Sequence, residues 1–200
     1  MAKLKPDYFY NPDVVAVSRD LLGKYIFSDI DGIVTGGMIV ETEAYCGRND
    51  KACHANNGRR TTRTEIMYQQ GGVAYVYLIY GIYSLINVVT NTENMADAVL
   101  IRAIEPVQGV EEMLLRRNLQ KPGPRLSAGP GLVAQALGIT TKYTGTSLTG
   151  STLWLEDRGT VIQEEEVLAR PRVGVAYAQE DALRPWRFSV KGNKWVSKAK

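Results

Sequence analysis

The stretch MIVETEAY, from Met38 to Tyr45, leads from apolar residues into two carboxylates one residue apart and then into a tyrosine. Its composition is typical of a β-strand, in which successive side chains point to opposite faces. In that geometry Ile39, Glu41 and Glu43 share one face with the tyrosine, and the alternate residues form a face suited to a core. Because an unpaired buried charge is costly, two acids so close to a core need a partner or a function.

The remainder of the chain also favours strands over long helices. We predict strands at 24–28 and 32–45, joined by a turn that contains Asp31-Gly32, and two more within 73–89 that turn at Gly81. Further strands are predicted at 98–104 (ended by Pro106), 152–156, 172–178 and 186–190. Short helices are predicted over 109–118 and 131–137, and after Asn11-Pro12-Asp13 with Asn11 as the N-cap. These elements predict one α+β domain over residues 1–200, with a curved, mainly antiparallel, open-barrel-like sheet flanked by short helices.

The composition narrows the class of protein. The 200 residues are 44% hydrophobic and 22% charged, which is typical of a globular chain with one sizeable core. No apolar run approaches the length of a membrane span, and the N-terminus lacks the apolar segment of a secretory signal. We therefore expect an intracellular protein with no membrane partner. Cys46 and Cys53 are too few for a disulfide framework.

The net charge is only +3, but the basic residues are clustered. Clusters of this kind are compatible with a surface that faces a polyanion. Charge alone favours the simpler explanation, which is ordinary solvated surfaces and a frayed tail. The clusters are Arg59, Arg60 and Arg63; Arg116, Arg117, Lys121 and Arg125; and Arg184, Arg187, Lys191, Lys194, Lys198 and Lys200.

The polar stretch from residue 46 to residue 64 is predicted to be a long loop, and such loops in compact domains are usually functional or disordered. It contains His54, the only histidine, followed by arginines interleaved with threonines that suit phosphate oxygens. An exposed, solubilising loop is the simpler alternative. Cys46, Cys53 and His54 have no good fourth ligand and match no structural zinc pattern, so we predict no metal site.

Tyrosine is over-represented, with 11 Tyr against 3 Phe and 3 Trp. Four lie in AYVYLIYGIY (74–83), where Tyr80 precedes Gly81 and can be presented at a turn. Aromatic faces stack on nucleic-acid bases, although core packing explains the same pattern. Paired carboxylates are the usual equipment for cleaving glycosidic bonds, although a solvent-facing polar strand edge is the commoner explanation of this spacing. Together these features fit an enzyme that takes a base out of a duplex and acts on it.

Six blocks of sequence resemble the compact form of the alkyladenine (3-methyladenine, methylpurine) DNA glycosylase family. They are VETEAYCGRNDKACHANNGRRTTR, GGVAYVYLIYGIYSLIN, VLIRAIEP, GPGLVAQALGI, RVGVAYA and RFSVKGNKWVS, in the family's order between Lys24 and Ser197. The resemblance implies a base excision repair enzyme, without a cofactor, that flips and hydrolytically removes alkylated purines from double-stranded DNA. The implied substrates are 3-methyladenine and 7-methylguanine, with hypoxanthine and ethenoadenine as further candidates. We expect a monomer associated with DNA.

The resemblance also implies roles for individual residues. Glu43 matches the general base that activates water, and Arg102 and the backbone carbonyl of Val173 match groups that hold this water. The base pocket is matched by Tyr45, His54, Tyr77 and Asn87. The finger that fills the gap in the duplex is matched by Tyr80. Residues around the flipped nucleotide and the DNA backbone are matched by Arg59, Thr61, Arg63 and Met67. A cationic purine between Tyr45 and Tyr77 would gain a cation–π interaction that a normal base lacks.

One position departs from the family pattern. Leu132 stands where the family usually has a lysine, so one contact to a backbone phosphate is expected to be missing. No lysine lies in the block 41–45, which favours direct hydrolysis over a Schiff-base step. Two other functions stay open at this point: a module that binds damaged DNA without excision, and a glycosidase that acts on nucleosides or sugars.

Overall fold

The computed structural model describes residues 2–198, so Lys200 of the third basic cluster lies outside the described residues. The strands are β1 (Ala2–Lys3), β2 (Tyr25–Ile30), β3 (Ile33–Tyr45), β4 (Ala74–Ile79), β5 (Tyr83–Thr90), β6 (Asp97–Gln108), β7 (Leu153–Asp157), β8 (Val167–Arg170) and β9 (Arg187–Val190). The α-helices are α1 (Val14–Asp20), α2 (Val110–Arg116) and α3 (Pro130–Ala136), and short 3-10 helices connect several elements. Within this range no helix is both long and apolar enough to cross a membrane.

The nine strands form one open, antiparallel sheet in the order β1-β7-β2-β3-β6-β5-β4, and β9 joins β3 to β8. The predicted α+β class with a mainly antiparallel, open sheet is therefore confirmed. Hydrophobic side chains from the sheet, α1 and α3 share the main core cluster. This core holds the sheet and the helices in one packed unit.

β3 is the longest strand and the centre of the sheet. Along one edge it pairs with β6, and along the other it pairs first with β2 and then, at Glu41–Glu43, with β9. Register shifts beside Glu41 interrupt strict alternation, and both Ile39 and Val40 lie in the main core cluster. The expectation that Ile39 simply shares the acid face is therefore corrected. Both acids are fully buried between neighbouring strands.

Two tight turns confirm the predicted hairpins. Asp31 and Gly32, with φ of 57° and 75°, connect β2 to β3. Two consecutive residues with positive φ are typical of the type I′ turn, whose twist matches that of the flanking strands. At the tip of the β4–β5 hairpin, Tyr80 and Gly81 have φ of 53° and 70°. The turn predicted at Gly81 is therefore present, and it presents Tyr80 at the tip.

The N-cap of α1 is Asp13 and not Asn11, which corrects the prediction. The Asp13 carboxylate accepts the N–H groups of Val15 and Ala16, each at 3.0 Å. Asn11 instead accepts the N–H of Asp13 at 2.9 Å and so supports the cap from outside the helix. The two other predicted helices are confirmed as α2 and α3.

Two predicted strands differ in the structure. Residues 172–178 do not form a strand, because Gly174 adopts φ of 75° and a 3-10 helix (Ala176–Leu183) follows. The strand 98–104 does not end at Pro106: β6 continues to Gln108, with the proline opposite Gly37 beside a register shift. A proline is tolerated in a strand at such an irregularity, because its missing N–H does not interrupt a regular ladder.

Gly36 is required for the packing of β3 on β2. A Cβ atom at this position would lie 2.0 Å from Cδ1 of Phe27, whose ring is fully buried. We expect Gly36→Ala to lower the free energy of unfolding by about 1–3 kcal/mol, the usual cost of overpacking. Chemical denaturation measures the change.

Gly123→Ala is the matched control for this substitution. No atom lies within 4 Å of a Cβ added at Gly123, and its backbone is extended. Equal denaturant concentrations at the unfolding midpoint of the two variants would contradict the assigned role of Gly36.

Candidate active site

A cavity of about 620 Å³ opens between the end of β3, the β4–β5 hairpin and the segment around residue 173. The structure brings ten of the twelve site residues predicted from the sequence to this one cavity. They are Glu43, Tyr45, His54, Arg63, Met67, Tyr77, Tyr80, Asn87, Arg102 and Val173. Arg59 and Thr61 are not part of its lining, and Leu132 lines the part next to α3.

Glu43 is held in one orientation at the cavity wall. One carboxylate oxygen accepts the backbone N–H of Val173 at 2.8 Å and lies 3.2 Å from Nη1 of Arg102. The other oxygen accepts the hydroxyl of Tyr45 at 2.7 Å. Bonds to a charged acceptor are stronger and more directional than neutral ones. The carboxylate is therefore oriented by groups from three separate parts of the chain.

Glu41 is surrounded by donors and does not line the cavity. It accepts Nε of Arg102 and Nη1 of Arg187, both at 3.1 Å. It also accepts the backbone N–H and the hydroxyl of Ser197, at 2.8 and 2.9 Å. The two acids of MIVETEAY are thus different in kind: Glu43 faces the cavity, and Glu41 is a structural acid.

His54 stands between two tyrosines in the aromatic wall. Its Nδ1 lies 2.9 Å from the hydroxyl of Tyr75, and its ring meets Tyr77 edge-on at 4.7 Å. Its Nε2 lies 3.3 Å from Arg63, which can only donate, so Nδ1 carries the ring proton. Burial, followed by the charges of Arg63 and Arg59, lowers the pKa of His54 to about 4. The imidazole is therefore neutral at physiological pH.

Tyr75 is a cavity residue that the sequence prediction left out of the site. Its ring is buried, and its hydroxyl accepts Nε of Arg63 at 3.2 Å as well as contacting His54. The side-chain amide of Asn87 donates to the Tyr75 carbonyl at 3.1 Å, which fixes that amide in the wall. The period-two spacing of Tyr75 and Tyr77 in β4 was the available signal.

A guanidinium group lies over each of two predicted walls of the base pocket. Arg63 lies 4.7 Å from the ring centroid of Tyr77 and belongs to the cavity lining. Arg172 lies 4.9 Å from the ring centroid of Tyr45 but is buried outside the lining. Both rings therefore already have a cation near them.

The residues predicted to touch DNA differ in their exposure to solvent. Tyr80 is 85% exposed, and Arg59 and Thr61 are also exposed. Met67 is only 2% exposed and packs in the cavity wall, so the structure groups it with the pocket residues. Its predicted position beside the DNA backbone stays a prediction.

Several arginines of the basic clusters form ion pairs with acidic side chains of the protein itself. Arg187 bonds to Glu41, Arg184 pairs with Asp181, and Arg116 pairs with Glu112. These cations are therefore engaged inside the protein, so counting clustered arginines in the sequence overestimates the charge available to a polyanion.

An oriented carboxylate at the wall of an aromatic cavity defines a candidate enzyme site, in which the acid can serve as a general base or stabilise positive charge on a bound molecule. The comparison with protein families makes the assignment specific. The model of the methylpurine-DNA glycosylase family matches residues 8–194, and the chain belongs to that family. It is a DNA N-glycosylase.

Similar proteins from two bacterial groups cover almost the same length. A Bacillus cereus (strain G9842) protein named "Putative 3-methyladenine DNA glycosylase" is 44% identical over 201 residues, which is 96% of this chain and 98% of the relative. Proteins of the same name from Chlamydia felis and Chlamydia abortus are 44% identical over 199 residues and 45% identical over 189 residues. These alignments cover 96% and 92% of this chain, and 100% and 96% of the relatives.

The environment of Glu41 predicts a large effect on stability. Glu41→Gln removes the charge that compensates the buried Arg102 and the partly buried Arg187, and breaking a buried ion pair typically costs about 3–5 kcal/mol. We expect a loss of this size in the free energy of unfolding, measured by urea denaturation. Glu65→Gln, which alters the exposed pair with Arg60, is the control and should leave the midpoint nearly unchanged. A similar midpoint for both variants would refute the structural role of Glu41.

Proposed function

We propose that this protein excises alkylated purines from double-stranded DNA by direct hydrolysis and leaves an abasic site. The proposed substrates are 3-methyladenine and 7-methylguanine, with hypoxanthine and ethenoadenine as further candidates. The observation that carries the proposal is the Glu43 carboxylate, oriented by Val173, Arg102 and Tyr45 at the wall of an aromatic cavity. The names of the relatives support 3-methyladenine as a substrate.

Glu43 is the proposed general base. It takes a proton from water as the water oxygen bonds to C1′, and the bond from C1′ to the purine nitrogen breaks with its electrons leaving on the base. Positive charge develops on the sugar in an oxocarbenium-like transition state, which a nearby carboxylate stabilises. An alkylated cationic purine leaves as a neutral base, whereas a neutral purine needs a proton or hydrogen bonds first. Arg102 would help to hold the water beside Glu43.

The cavity walls suit a flipped purine. Tyr45 and Tyr77 offer rings for stacking, and His54, which meets Tyr77 edge-on, adds no positive charge at physiological pH. Arg63 also lines this cavity. If Arg63 contacts a DNA phosphate, as the family resemblance implies, its charge would move away from the base. The same phosphate contact would then contribute both to DNA binding and to acceptance of a cationic base.

The DNA would meet the surface that carries the hairpin tip. Tyr80 would enter the duplex where the base has left, and the exposed Arg59 and Thr61 would contact the backbone. Leu132 supplies no cation at its place in the cavity lining, so the neighbouring phosphate would depend on other donors. We further propose that one domain carries these functions, that the protein acts as a monomer on DNA, and that it needs no cofactor.

Excision from a duplex with a single lesion tests the proposed function. We expect release of the free base and an otherwise intact abasic strand. Glu43→Gln should retain lesion binding but lose at least about 10²–10⁴-fold in the single-turnover rate, the usual contribution of a general base. The rate should fall far less for Glu41→Gln, provided that it is measured well below the melting temperature of that variant.

The other outcomes identify other functions. Tight binding of the lesion without base release would indicate a module that only recognises damage. Activity on nucleosides but not on duplex DNA would indicate a nucleoside glycosidase. Equal losses for the two glutamate variants would remove the special role of Glu43.

The proposed finger predicts a binding defect. Tyr80→Ser should weaken the flipped complex about 5–150-fold, because stacking of a base on an aromatic ring contributes about 1–3 kcal/mol. Fluorescence of a base analogue beside the lesion reports the flipped state. Tyr10→Ser, which alters an exposed tyrosine outside the cavity lining, is the matched control. Unchanged fluorescence in the Tyr80 variant would contradict its insertion.

A further inference from the structure

Asp50 and Arg172 form an ion pair just behind the cavity. Nη1 and Nη2 of the arginine lie 2.5 and 2.7 Å from the two carboxylate oxygens, and both side chains are fully buried. The two residues are 122 positions apart in the chain. We propose that this pair is a positioning device for Glu43, an inference that rests on the proposed function of Glu43 and deepens it.

The pair connects three separate parts of the chain. Arg172 also donates to the carbonyl oxygens of Ala44 at 2.8 Å and Asp181 at 3.0 Å. Asp50 accepts the N–H groups of Cys46 at 3.3 Å and Ala52 at 3.0 Å. The end of β3, the long loop and the 3-10 helix near residue 181 are thereby fixed to one another beside the cavity.

Apart from Arg102, two groups donate to Glu43, and both are positioned by Arg172. Val173 follows it directly in the chain and presents its N–H to one carboxylate oxygen. Tyr45 bonds to the other oxygen, and its ring lies against the Arg172 guanidinium, 4.9 Å from the ring centroid. A shift of Arg172 would therefore move both donors at once.

Arg172 acts through these neighbours and does not itself reach the base site. It lies outside the cavity lining and forms no hydrogen bond or ion pair with Glu43 among the described residues. A planar guanidinium with two parallel bonds to a carboxylate has a defined orientation, which a lysine cannot reproduce. Stability alone gives weak support for such a pair, because buried ion pairs often contribute little net stability.

The other charged and titratable groups around Glu43 would stay in place. Arg102 reaches it from β6, and Glu41 precedes it in β3 beside the same arginine. Tyr77, from β4, lines the same cavity as Glu43. None of these groups is among the hydrogen-bond partners of Arg172, so a change at Arg172 acts first on the orientation supplied by Val173 and Tyr45.

The test is Arg172→Lys, which retains the charge and loses the paired bonds. We expect the maximal single-turnover excision rate to fall about 10–100-fold, since a misplacement of about 1 Å near reacting groups has this effect. The concentration of lesion-containing DNA that gives half of the maximal rate should change less than about threefold. Asp50→Asn should give the same pattern with a smaller loss of rate, and it carries the test if the lysine variant does not fold.

Arg158→Lys is the matched control. Arg158 also pairs with a carboxylate, Glu156, at 2.8 Å and lies 4.4 Å from the ring centroid of Phe27, but it is remote from the cavity lining. Its variant should keep both the wild-type rate and the wild-type concentration dependence.

The outcomes separate the two proposals. No excision by the wild-type protein would overturn the proposed function. Excision by the wild type together with an unchanged maximal rate in folded Arg172→Lys and Asp50→Asn would overturn only the positioning role. Parallel losses of rate, lesion binding and melting temperature would show that the pair serves the fold alone, which would also overturn the positioning role.

Discussion

Two carboxylates buried one residue apart on the central strand impose the main electrostatic constraint on this fold. A buried charge must be paired and hydrogen-bonded to be tolerated. Arg102 meets both acids from β6, the neighbour of β3 on one edge. Arg187 meets Glu41 from β9, the neighbour on the other edge. The strand pairing around β3 and the compensation of its charges are therefore parts of one arrangement, and neither could change without the other.

The same arrangement lets two identical side chains have different roles. Glu41 receives donors from two arginines and Ser197 and is enclosed by them. Glu43 is oriented by a backbone N–H, a phenol and one arginine, yet it still borders the cavity. A carboxylate that is both fixed in direction and in contact with a cavity can act on a bound molecule. The surroundings of an acid, and not its spacing in the strand, decide its role.

The sequence predicted the elements whose signals are local. Alternating residues marked most strands, the dipeptide Asp31-Gly32 marked a hairpin turn, and Tyr80 before Gly81 was expected at a tip. Errors arose where distant contacts decide the structure. Segment 172–178 has strand-like composition, but the bonds from Arg172 to Asp50 and to the Asp181 carbonyl hold it in another path. The register shift near Glu41 and the burial of Met67 likewise depend on neighbours remote in sequence.

The arginines near the aromatic walls reduce the contribution that cation–π attraction could make to substrate preference. Stacking between Tyr45 and Tyr77 would favour a cationic purine if those rings met no other cation. In this protein Arg172 already lies against one ring and Arg63 against the other. Under the proposed function, cation–π attraction alone would therefore give a weaker preference for alkylated bases than two isolated rings would. The proposed preference would then rest more on the bond that breaks: a cationic purine leaves more readily, and the oriented carboxylate of Glu43 would stabilise the positive charge that its departure creates on the sugar.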